Sequence, residues 1–225
     1  MLTVHHLNNS RSQRVLWLLE ELGVPYEIRK YARDATTMLA PAELLQVHPL
    51  GKSPVVTDGE ATFAETGAIV EELTERHGNG SLVPPAGTTE KRRYTYWLHF
   101  AEGSAMSPLL MKLVFDRLGS GQGMPFFVKP IAKAIAVKVK ALLVEPNLTR
   151  QLDFMEAELG KSAWFAGHRF TAADIMMSFP VEAARQRAGL DASRPKLMQW
   201  LKTIHARPAY RRALERGGPY SFADD

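Results

Sequence analysis

Cysteine is absent from this chain of 225 residues. Its absence excludes disulfides, thiolate metal sites and any mechanism in which the protein itself supplies a thiol. Long apolar runs are also missing, because no stretch approaches the roughly 20 residues that a membrane span needs. The N-terminus turns polar from His5 to Arg11, so the sequence shows no apolar core of a signal peptide. We therefore expect a cytoplasmic protein without a membrane partner.

The signatures of metal and nucleotide sites are lacking too. The seven histidines show neither H-x-x-x-H nor H-E-x-x-H spacing, and the sequence contains no phosphate loop or dinucleotide fingerprint. His5 and His6 would point to opposite faces of a strand, which argues against a shared metal ion. We expect no metal and no prosthetic group.

Charge is not concentrated in one sign, since the formal net charge is only +4. The densest basic stretch holds Lys129, Lys133, Lys138 and Lys140. Apolar residues separate these lysines at helical spacing, which is typical of an amphipathic helix with a solvated face. A nucleic-acid site would require a denser basic patch with interleaved aromatic side chains. We expect no nucleic-acid partner for this chain, whose 45% apolar and 23% charged residues are ordinary globular values.

The N-terminal part of the chain alternates strand and helix patterns. The predicted elements are a strand over 2–7, a helix from Ser10 towards Gly23 opened by a capping box with Gln13, a strand over 26–31, a short helix over 41–47, strands over 54–57 and 61–63 joined at Asp58-Gly59, and a helix over 65–77. A right-handed crossover would make the first two strands parallel. This order predicts a thioredoxin-like mixed sheet with helices on both faces.

The remainder of the chain is helical in pattern and follows a Gly- and Pro-rich stretch over 78–88. The first two predicted helices run from Thr89 towards Leu118 and over 125–143. A third runs through Leu148–Leu159, with Pro146 in its first turn, and a fourth begins at Thr171 and Asp174, which we interpret as structural capping residues. The last runs through Leu197–Ile204 and ends before Pro208. We predict an α/β thioredoxin-like domain over 1–78, a linker over 79–88 and an all-helical domain over 89–225.

Several segments resemble the cytosolic glutathione transferases, in order and with matching spacing. They are HHLNNSRSQRVLWLLEELGVPYEI for the first β-α-β unit, HPLGKSPVV for the glutathione-binding loop, FAETGAI for the turn into the third helix and FTAADIMMSFP for a buried capping motif. The stretches LHFAEGS, MPFF and GGPYSF are most similar to the bacterial and yeast-type branch, here with a serine at the start of the first helix. The resemblance implies glutathione as co-substrate and a two-fold homodimer.

The resemblance further implies an enzyme that joins the glutathione thiolate to small hydrophobic electrophiles. Two alternatives stay open, namely a glutathione-dependent peroxidase acting on organic hydroperoxides and a non-catalytic protein of this fold that binds ligands or regulates a partner. The lack of cysteine argues against the family branches that transfer thiols or reduce dehydroascorbate, because they use a cysteine near this helix start.

Ser10 is the residue that we expect to hold the glutathione sulfur. A free thiol has a pKa of about 8.5, so its ionised form needs stabilisation near neutral pH. A helix N-terminus offers partial positive charge and free N–H groups, and a hydroxyl adds one hydrogen bond to the developing anion. Ser10 is therefore predicted to cap the helix, to donate to the thiolate, or to do both. Asn9 and Ser12 are the alternatives for the same role.

Two further segments are implied by the resemblance to hold the rest of glutathione. Ser53 precedes Pro54, which corresponds to a cis proline in the family, and would pair its backbone with the cysteinyl part, while Lys52 would meet the glycyl carboxylate. An ordinary trans proline and a solvated lysine are the plain alternatives. Glu65 would face the γ-glutamyl ammonium and Thr66 the γ-glutamyl carboxylate, although such a pair also suits a simple helix cap.

The electrophile site is expected on the first helix of the C-terminal part, across the cleft. The candidates at helical spacing are His99, Met106, Met111 and Phe115. Such a stripe otherwise packs in a core. Glu102 lies among these residues on an apolar helix and needs a partner, so we predict that it binds the ammonium of glutathione in the neighbouring subunit.

Overall fold

The alternating patterns of the N-terminal part fold into one four-stranded sheet in the computed structural model, which describes residues 1–34 and 36–223. The strands are β1 Leu2–Leu7, β2 Tyr26–Tyr31, β3 Val55–Asp58 and β4 Ala61–Ala64. Their order is β2-β1-β3-β4, with β2 parallel to β1 and both other neighbouring pairs antiparallel. The predicted parallel opening and mixed sheet are confirmed.

Helices make up most of the rest of the molecule. They are α1 Ser12–Leu22, a 3₁₀ helix Ala42–Gln46, α2 Thr66–His77, α3 Thr89–Phe100, α4 Met106–Ser120, α5 Lys129–Val139, α6 Glu145–Leu159, α7 Ala172–Arg187, α8 Pro195–His205 and α9 Pro208–Gly217. Among the described residues, no helix has both the length and the apolar character needed to cross a bilayer. The predicted fold class, an α/β thioredoxin-like part followed by a helical part, is confirmed, while the boundaries 1–78, 79–88 and 89–225 stay predictions.

Helix α1 lies between the sheet and the C-terminal helices. Its side chains Val15, Leu18 and Leu19 are fully buried, and the helix contacts β1, α2, α7 and α9. Each such side chain contributes about 1.5–3 kcal/mol by leaving water. Because the sheet and the helices share this one core, the N-terminal end of α1 is held at the boundary between them.

Helix α7 is the central helix of the C-terminal part and is buried from Ala172 to Ala184. Asp174, fully buried near its start, accepts hydrogen bonds from the backbone N–H groups of Thr171 and Phe165 at 3.0 Å each and from Trp200 Nε1 at 3.2 Å. Burial raises the pKa of Asp174 to about 6. These contacts match the structural capping role that the sequence predicts for this acid.

The start of α1 differs from its prediction. The helix begins at Ser12 rather than Ser10, and Arg11 before it already has helical angles. The Ser10 hydroxyl accepts from the Ser12 N–H at 3.2 Å, so it satisfies one early donor of the helix. The predicted capping box is absent, because the buried side-chain amide of Gln13 has no hydrogen-bond partner among the described residues.

Two wide π-type turns also depart from the prediction. Ala101–Ala105 interrupts the expected long helix between α3 and α4, and Lys140–Val144 joins α5 to α6 without a break. Each turn shortly precedes a proline, Pro108 and Pro146, and a proline has no N–H to give to the helical ladder. The turns therefore let two prolines enter nearly continuous helices. Helix α9 was not predicted at all.

Candidate functional site

Two cavities lie side by side where the N-terminal end of α1 meets the loops of the sheet and helices α4 and α7. Cavity A has a volume of about 320 Å³ and is lined by Arg11, His48, Leu50, Lys52, Ser53, Pro54, Val55, Ala64, Glu65, Thr66, Glu102 and Leu110. Cavity B has a volume of about 390 Å³ and is lined by Asn9, Arg11, Arg33, Met38, Met106, Leu109, Leu110, Leu113, Arg117, Phe179, Ala183, Arg187, Ser221 and Phe222. Arg11 and Leu110 belong to both walls, so the cavities adjoin at these side chains.

The loop before β3 forms one wall of cavity A. The Ser53-Pro54 peptide bond is cis, as the resemblance implied. The Ser53 hydroxyl donates to the His5 carbonyl at 2.7 Å and accepts from the Leu7 N–H at 3.2 Å, which ties the loop to β1. The Ser53 backbone N–H and C=O have no hydrogen-bond partner in the described part of the chain. They are therefore free to pair with an extended peptide ligand.

The turn from β4 into α2 forms another wall of cavity A. Glu65 has a φ of 68°, a left-handed conformation that is uncommon outside glycine. Strained residues of this kind persist where the surroundings fix them and cluster at ligand sites. Thr66 begins α2, so the first N–H groups of that helix favour an anion here. With Lys52 in the same cavity, the lining carries charges of both signs.

Ser10, the predicted thiolate donor, lines neither cavity. It is 4% exposed, and its Oγ lies 2.7 Å from Ser12 Oγ. The Ser12 hydroxyl is fully buried, lies 2.9 Å from His6 Nδ1 and accepts from the Leu7 N–H at 3.2 Å. Both hydroxyls are thus engaged in a buried network that fixes the turn between β1 and α1.

Asn9 is the one of the three candidate donors that lines a cavity. Its φ is 49°, a left-handed conformation that asparagine adopts more readily than most residues. The Asn9 Oδ1 accepts from the Ser221 N–H at 2.8 Å and from the Ser221 hydroxyl at 3.1 Å. Among the described residues the Asn9 Nδ2 has no hydrogen-bond partner, so two N–H donors stay available at cavity B.

Glu102 finds its partners within its own chain. Arg11 Nε lies 3.0 Å from one Glu102 carboxylate oxygen, and the buried guanidinium of Arg14 pairs with the other and donates to the Met176 carbonyl at 2.8 Å. Burial opposes ionisation of Glu102, but the two arginines outweigh it and lower the pKa of this carboxyl. Glu102 still lines cavity A. Glu102 therefore has partners within its own chain, and its predicted contact with the ammonium of glutathione in a neighbouring subunit stays a prediction.

Arg11 is a site residue that the sequence prediction missed. It stands immediately before α1 and borders both cavities. A cation at a helix N-terminus opposes the helix dipole. That unfavourable placement is the signal in the sequence that could have identified it, because such a residue needs an anion nearby.

The structure brings one of the four predicted electrophile-site residues to cavity B. Met106 lines it together with Leu109 and Leu113 of the same helix face. The structure does not bring His99, Met111 or Phe115 to either cavity, and His99 and Met111 are exposed. The wide turn over 101–105 rotates α4 relative to α3 about the helix axis. Residues of α4 that regular helical spacing would place on the face of His99 therefore lie on another face.

Two family models match the chain. The model described as glutathione S-transferase, N-terminal domain, matches residues 10–76, and that described as glutathione S-transferase, C-terminal domain, matches residues 120–208. Glutathione S-transferase 3 of Schizosaccharomyces pombe is 35% identical over 96% of this chain and 88% of its own length. Glutathione S-transferase 1 of Saccharomyces cerevisiae is 31% identical over 96% of this chain and 95% of its own length.

Solved structures resemble the whole chain. A glutathione S-transferase from Actinobacillus pleuropneumoniae is 30% identical with a TM-score of 0.79, covering 100% of this chain and 97% of that one. A sphingomonad glutathione S-transferase complexed with glutathione is 23% identical with a TM-score of 0.72, covering 96% of this chain and 98% of that one. The second likeness shows the fold alone.

Proposed function

The chain belongs to the glutathione S-transferase family, and from that premise we propose that cavity A holds glutathione while cavity B admits the electrophile. The reaction is transfer of the glutathione thiolate to a small hydrophobic electrophile. The observation that carries this division is the shared wall at Arg11 and Leu110 between a cavity that carries charges of both signs and a cavity that combines apolar side chains of α4 with arginines. A thiolate held at that wall faces both its own peptide and the second substrate.

The lining of cavity A suits each end of glutathione. The γ-glutamyl carboxylate would meet the first N–H groups of α2 and the Thr66 hydroxyl, while its ammonium faces Glu65. Lys52 would pair with the glycyl carboxylate. The free backbone N–H and C=O of Ser53 would pair with the cysteinyl residue, as two strands pair in a sheet.

Asn9, rather than Ser10, is the thiolate donor in this proposal. The support is that Asn9 lines cavity B with its Nδ2 free, whereas the Ser10 hydroxyl is buried against Ser12. The guanidinium of Arg11 at the shared wall adds positive charge, which lowers the pKa of a nearby thiol. Lowering a thiol pKa from about 8.5 to about 6.5 raises its ionised fraction at pH 7 about twentyfold. Ser10 then has a positioning role, because its buried hydroxyl helps to fix the turn that holds Asn9 and Arg11.

The protein is further proposed to be a cytoplasmic homodimer, as the resemblance implies. In one chain, apolar side chains on α4 and α5 stay exposed, among them Val114 at 53%, Ile131 at 62% and Ile135 at 50%. Exposed apolar side chains of this number favour cover by a second copy. Light scattering at micromolar concentration should therefore give about twice the 25.1 kDa of the chain. A species of chain mass alone would overturn the dimer.

A paired assay tests the proposed reaction against its alternatives. The purified protein is given glutathione with 1-chloro-2,4-dinitrobenzene in one arm and with cumene hydroperoxide in the other. Conjugation in the first arm supports the transferase, and turnover confined to the second supports the peroxidase. Tight glutathione binding without turnover in either arm would favour the non-catalytic alternative.

A further inference from the structure

Cavity B contains more positive charge than a site for neutral electrophiles requires. Arg11, Arg33, Arg117 and Arg187 all line it, and no acidic residue among those that the structure describes does. These four side chains come from distant parts of the sequence, since they precede α1, follow β2 and end α4 and α7. Only the tertiary fold gathers them, so their convergence does not reflect a local basic run.

Three of these guanidiniums form no ion pair with any described residue. Arg33 donates to the Met38 carbonyl at 3.1 Å, and Arg187 lies 4.9 Å from the centre of the Phe222 ring. The Arg117 guanidinium makes no hydrogen bond within the described part of the chain, whereas the Arg117 carbonyl accepts from the Ser120 hydroxyl. Arg11 alone meets a carboxylate, that of Glu102, which Arg14 shares.

Several arginines elsewhere in the molecule do form ion pairs. Arg207 pairs with Glu21 at 2.6 Å, Arg212 pairs with Glu20 at 2.7 Å and Arg93 pairs with Glu158 at 2.7 Å. Each of these arginines stabilises a contact between two helices or a helix and a loop. Arg33, Arg117 and Arg187 lack such carboxylate partners in the described part of the chain, which leaves most of their N–H donors available to a ligand.

The arginines of cavity B also repel one another. Burial and the neighbouring Arg11 and Arg187 lower the pKa of Arg33. Burial and the neighbouring Arg117 lower the pKa of Arg187. A bound anion would relieve this repulsion, and a carboxylate fits the guanidinium fork with two parallel hydrogen bonds.

Apart from Asn9 and Ser221, the rest of the described cavity wall is apolar. Met106, Leu109 and Leu113 of α4 face Phe179 of α7 across it. A ligand that satisfies both parts of the wall has an apolar body and one acidic group. Cavity A already has its own cation, Lys52, for the glycyl carboxylate of glutathione, so the arginines of cavity B are not needed for that peptide.

We propose that the preferred electrophile of this enzyme is an organic acid, whose carboxylate binds Arg117 and Arg187 while its reactive carbon faces Asn9 and Arg11. This inference rests on the proposed assignment of cavity B to the electrophile. With a chloroarene as acceptor, the thiolate sulfur forms a bond to the ring carbon that bears chlorine. The carbon–chlorine bond then breaks and chloride leaves with its electron pair, while the carboxylate is unchanged.

A matched pair of acceptors tests the inference directly. 4-Chloro-3,5-dinitrobenzoate and its methyl ester share the reacting ring and differ in one negative charge. The kcat/KM for each is divided by its uncatalysed rate with glutathione at the same pH, which removes intrinsic reactivity. Charge-assisted hydrogen bonds are each worth about tenfold or more in affinity, so the corrected ratio should favour the acid by at least about tenfold.

Substitution of Arg117 and Arg187 tests whether these two side chains cause the preference for the acid over the ester. In the double variant Arg117→Gln and Arg187→Gln, the corrected acid-to-ester ratio should fall about tenfold or more. Arg92→Gln is the matched control, because Arg92 is exposed on α3, forms no ion pair among the described residues and lines neither cavity. It should keep the wild-type ratio. Added salt should lower the ratio as well, since it screens exposed charges.

A binding measurement separates this inference from the proposed function. The glutathione conjugates of the acid and of the ester are titrated by calorimetry, without any turnover. Tighter binding of the acid conjugate, lost in the double variant, would support the inference even if neither acceptor were turned over. Equal corrected efficiencies for acid and ester in the wild type, or a preference that survives in the double variant, would overturn it.

Discussion

Cavities A and B are neighbours that share Arg11 and Leu110 but are built in different ways. Cavity A consists mainly of two short loops at the end of the sheet, with free backbone groups, the start of α2 and charges of both signs. Cavity B is assembled from the end of the β1–α1 turn, two long helices and the C-terminal segment, and the charged side chains that line it are all positive among the described residues.

With glutathione assigned to cavity A and the electrophile to cavity B, as proposed above, the difference shows how one fold could keep one substrate constant and let the other vary. In that assignment, backbone groups and a helix start recognise part of the peptide whatever the side chains nearby, so cavity A depends on residue identity mainly at its charged side chains, Lys52 and Glu65. The character of cavity B depends on which side chains α4 and α7 present to it. Changes in that wall can alter the electrophile while the glutathione site is kept.

Removal of Asp174, remote from both cavities, has the largest expected effect. Asp174→Ala leaves three buried donors, those of Thr171, Phe165 and Trp200, without their acceptor. We expect a loss of about 3–4 kcal/mol in the free energy of unfolding, measured by urea denaturation. Glutathione affinity in the folded fraction should not change. Wild-type stability with lost binding would contradict the structural role.

The same acid gives a pH test. Its pKa in the folded protein is about 6, above its ordinary value of 3.8, so the folded state holds the proton more tightly. Stability from this group is therefore complete below pH 3.8 and is lost as pH rises through 6, by about 3 kcal/mol. Asp174→Asn removes the ionisation, so the stability difference between wild type and variant should change across this window. A difference independent of pH would contradict the assignment.

Loss of the Glu102 carboxylate, which pairs with Arg11 and Arg14 at the wall of cavity A, has the next largest expected effect. Glu102→Gln leaves the buried guanidinium of Arg14 without its carboxylate. We expect about 2–3 kcal/mol of destabilisation, below the usual cost of a broken buried pair because Glu102 is one-third exposed. Glu72→Gln is the matched control, since Glu72 pairs with an exposed arginine on the surface. Equal unfolding midpoints in both variants would argue against a structural role of this pair.

Much of cavity A could be predicted from the sequence, because its residues are close together along the chain. Lys52, Ser53 and Pro54 form one segment, and Glu65 and Thr66 form another at a predicted helix start. The contacts that were missed are long-range. Asn9 meets Ser221, which is 212 residues away in sequence, and Glu102 meets Arg11, which is 91 residues away. No local pattern encodes either contact.

The wall of cavity B shows a second limit of sequence patterns. Helical spacing predicts one continuous face only while the helix keeps its period. The wide turn over 101–105 breaks that period between His99 and α4. Met111 and Phe115 follow the turn, as Met106 does, but they lie five and nine residues beyond Met106 and therefore on other faces of α4, whereas Leu109 and Leu113 share its face and line cavity B with it. The buried position of Ser10 had a similar cause, since α1 begins two residues later than its polar residues suggest.

The charged ends of glutathione give the fourth prediction, which is confined to cavity A. Lys52→Ala and Glu65→Ala each remove one charged contact to a part of glutathione that does not react. We expect a loss of about tenfold to a hundredfold in glutathione affinity, measured by calorimetry, with little change in kcat at saturating glutathione. Lys129→Ala, at an exposed lysine remote from both cavities, is the control. Affinities equal to that of the control would show that these residues do not hold glutathione.

The thiolate donor at the shared wall is the central claim, and the ultraviolet absorbance of bound glutathione titrated against pH tests it most directly. Wild type, Asn9→Ala and Ser10→Ala are compared at saturating glutathione, with Ser221→Ala as a control for the Oδ1 contact of Asn9. Loss of one donor to the sulfur should raise the pKa of the bound thiol by about one unit in Asn9→Ala, and the shift in Ser10→Ala should be smaller. A titration of Asn9→Ala that coincides with wild type, beside a raised pKa in Ser10→Ala, would contradict this account and return the role to Ser10.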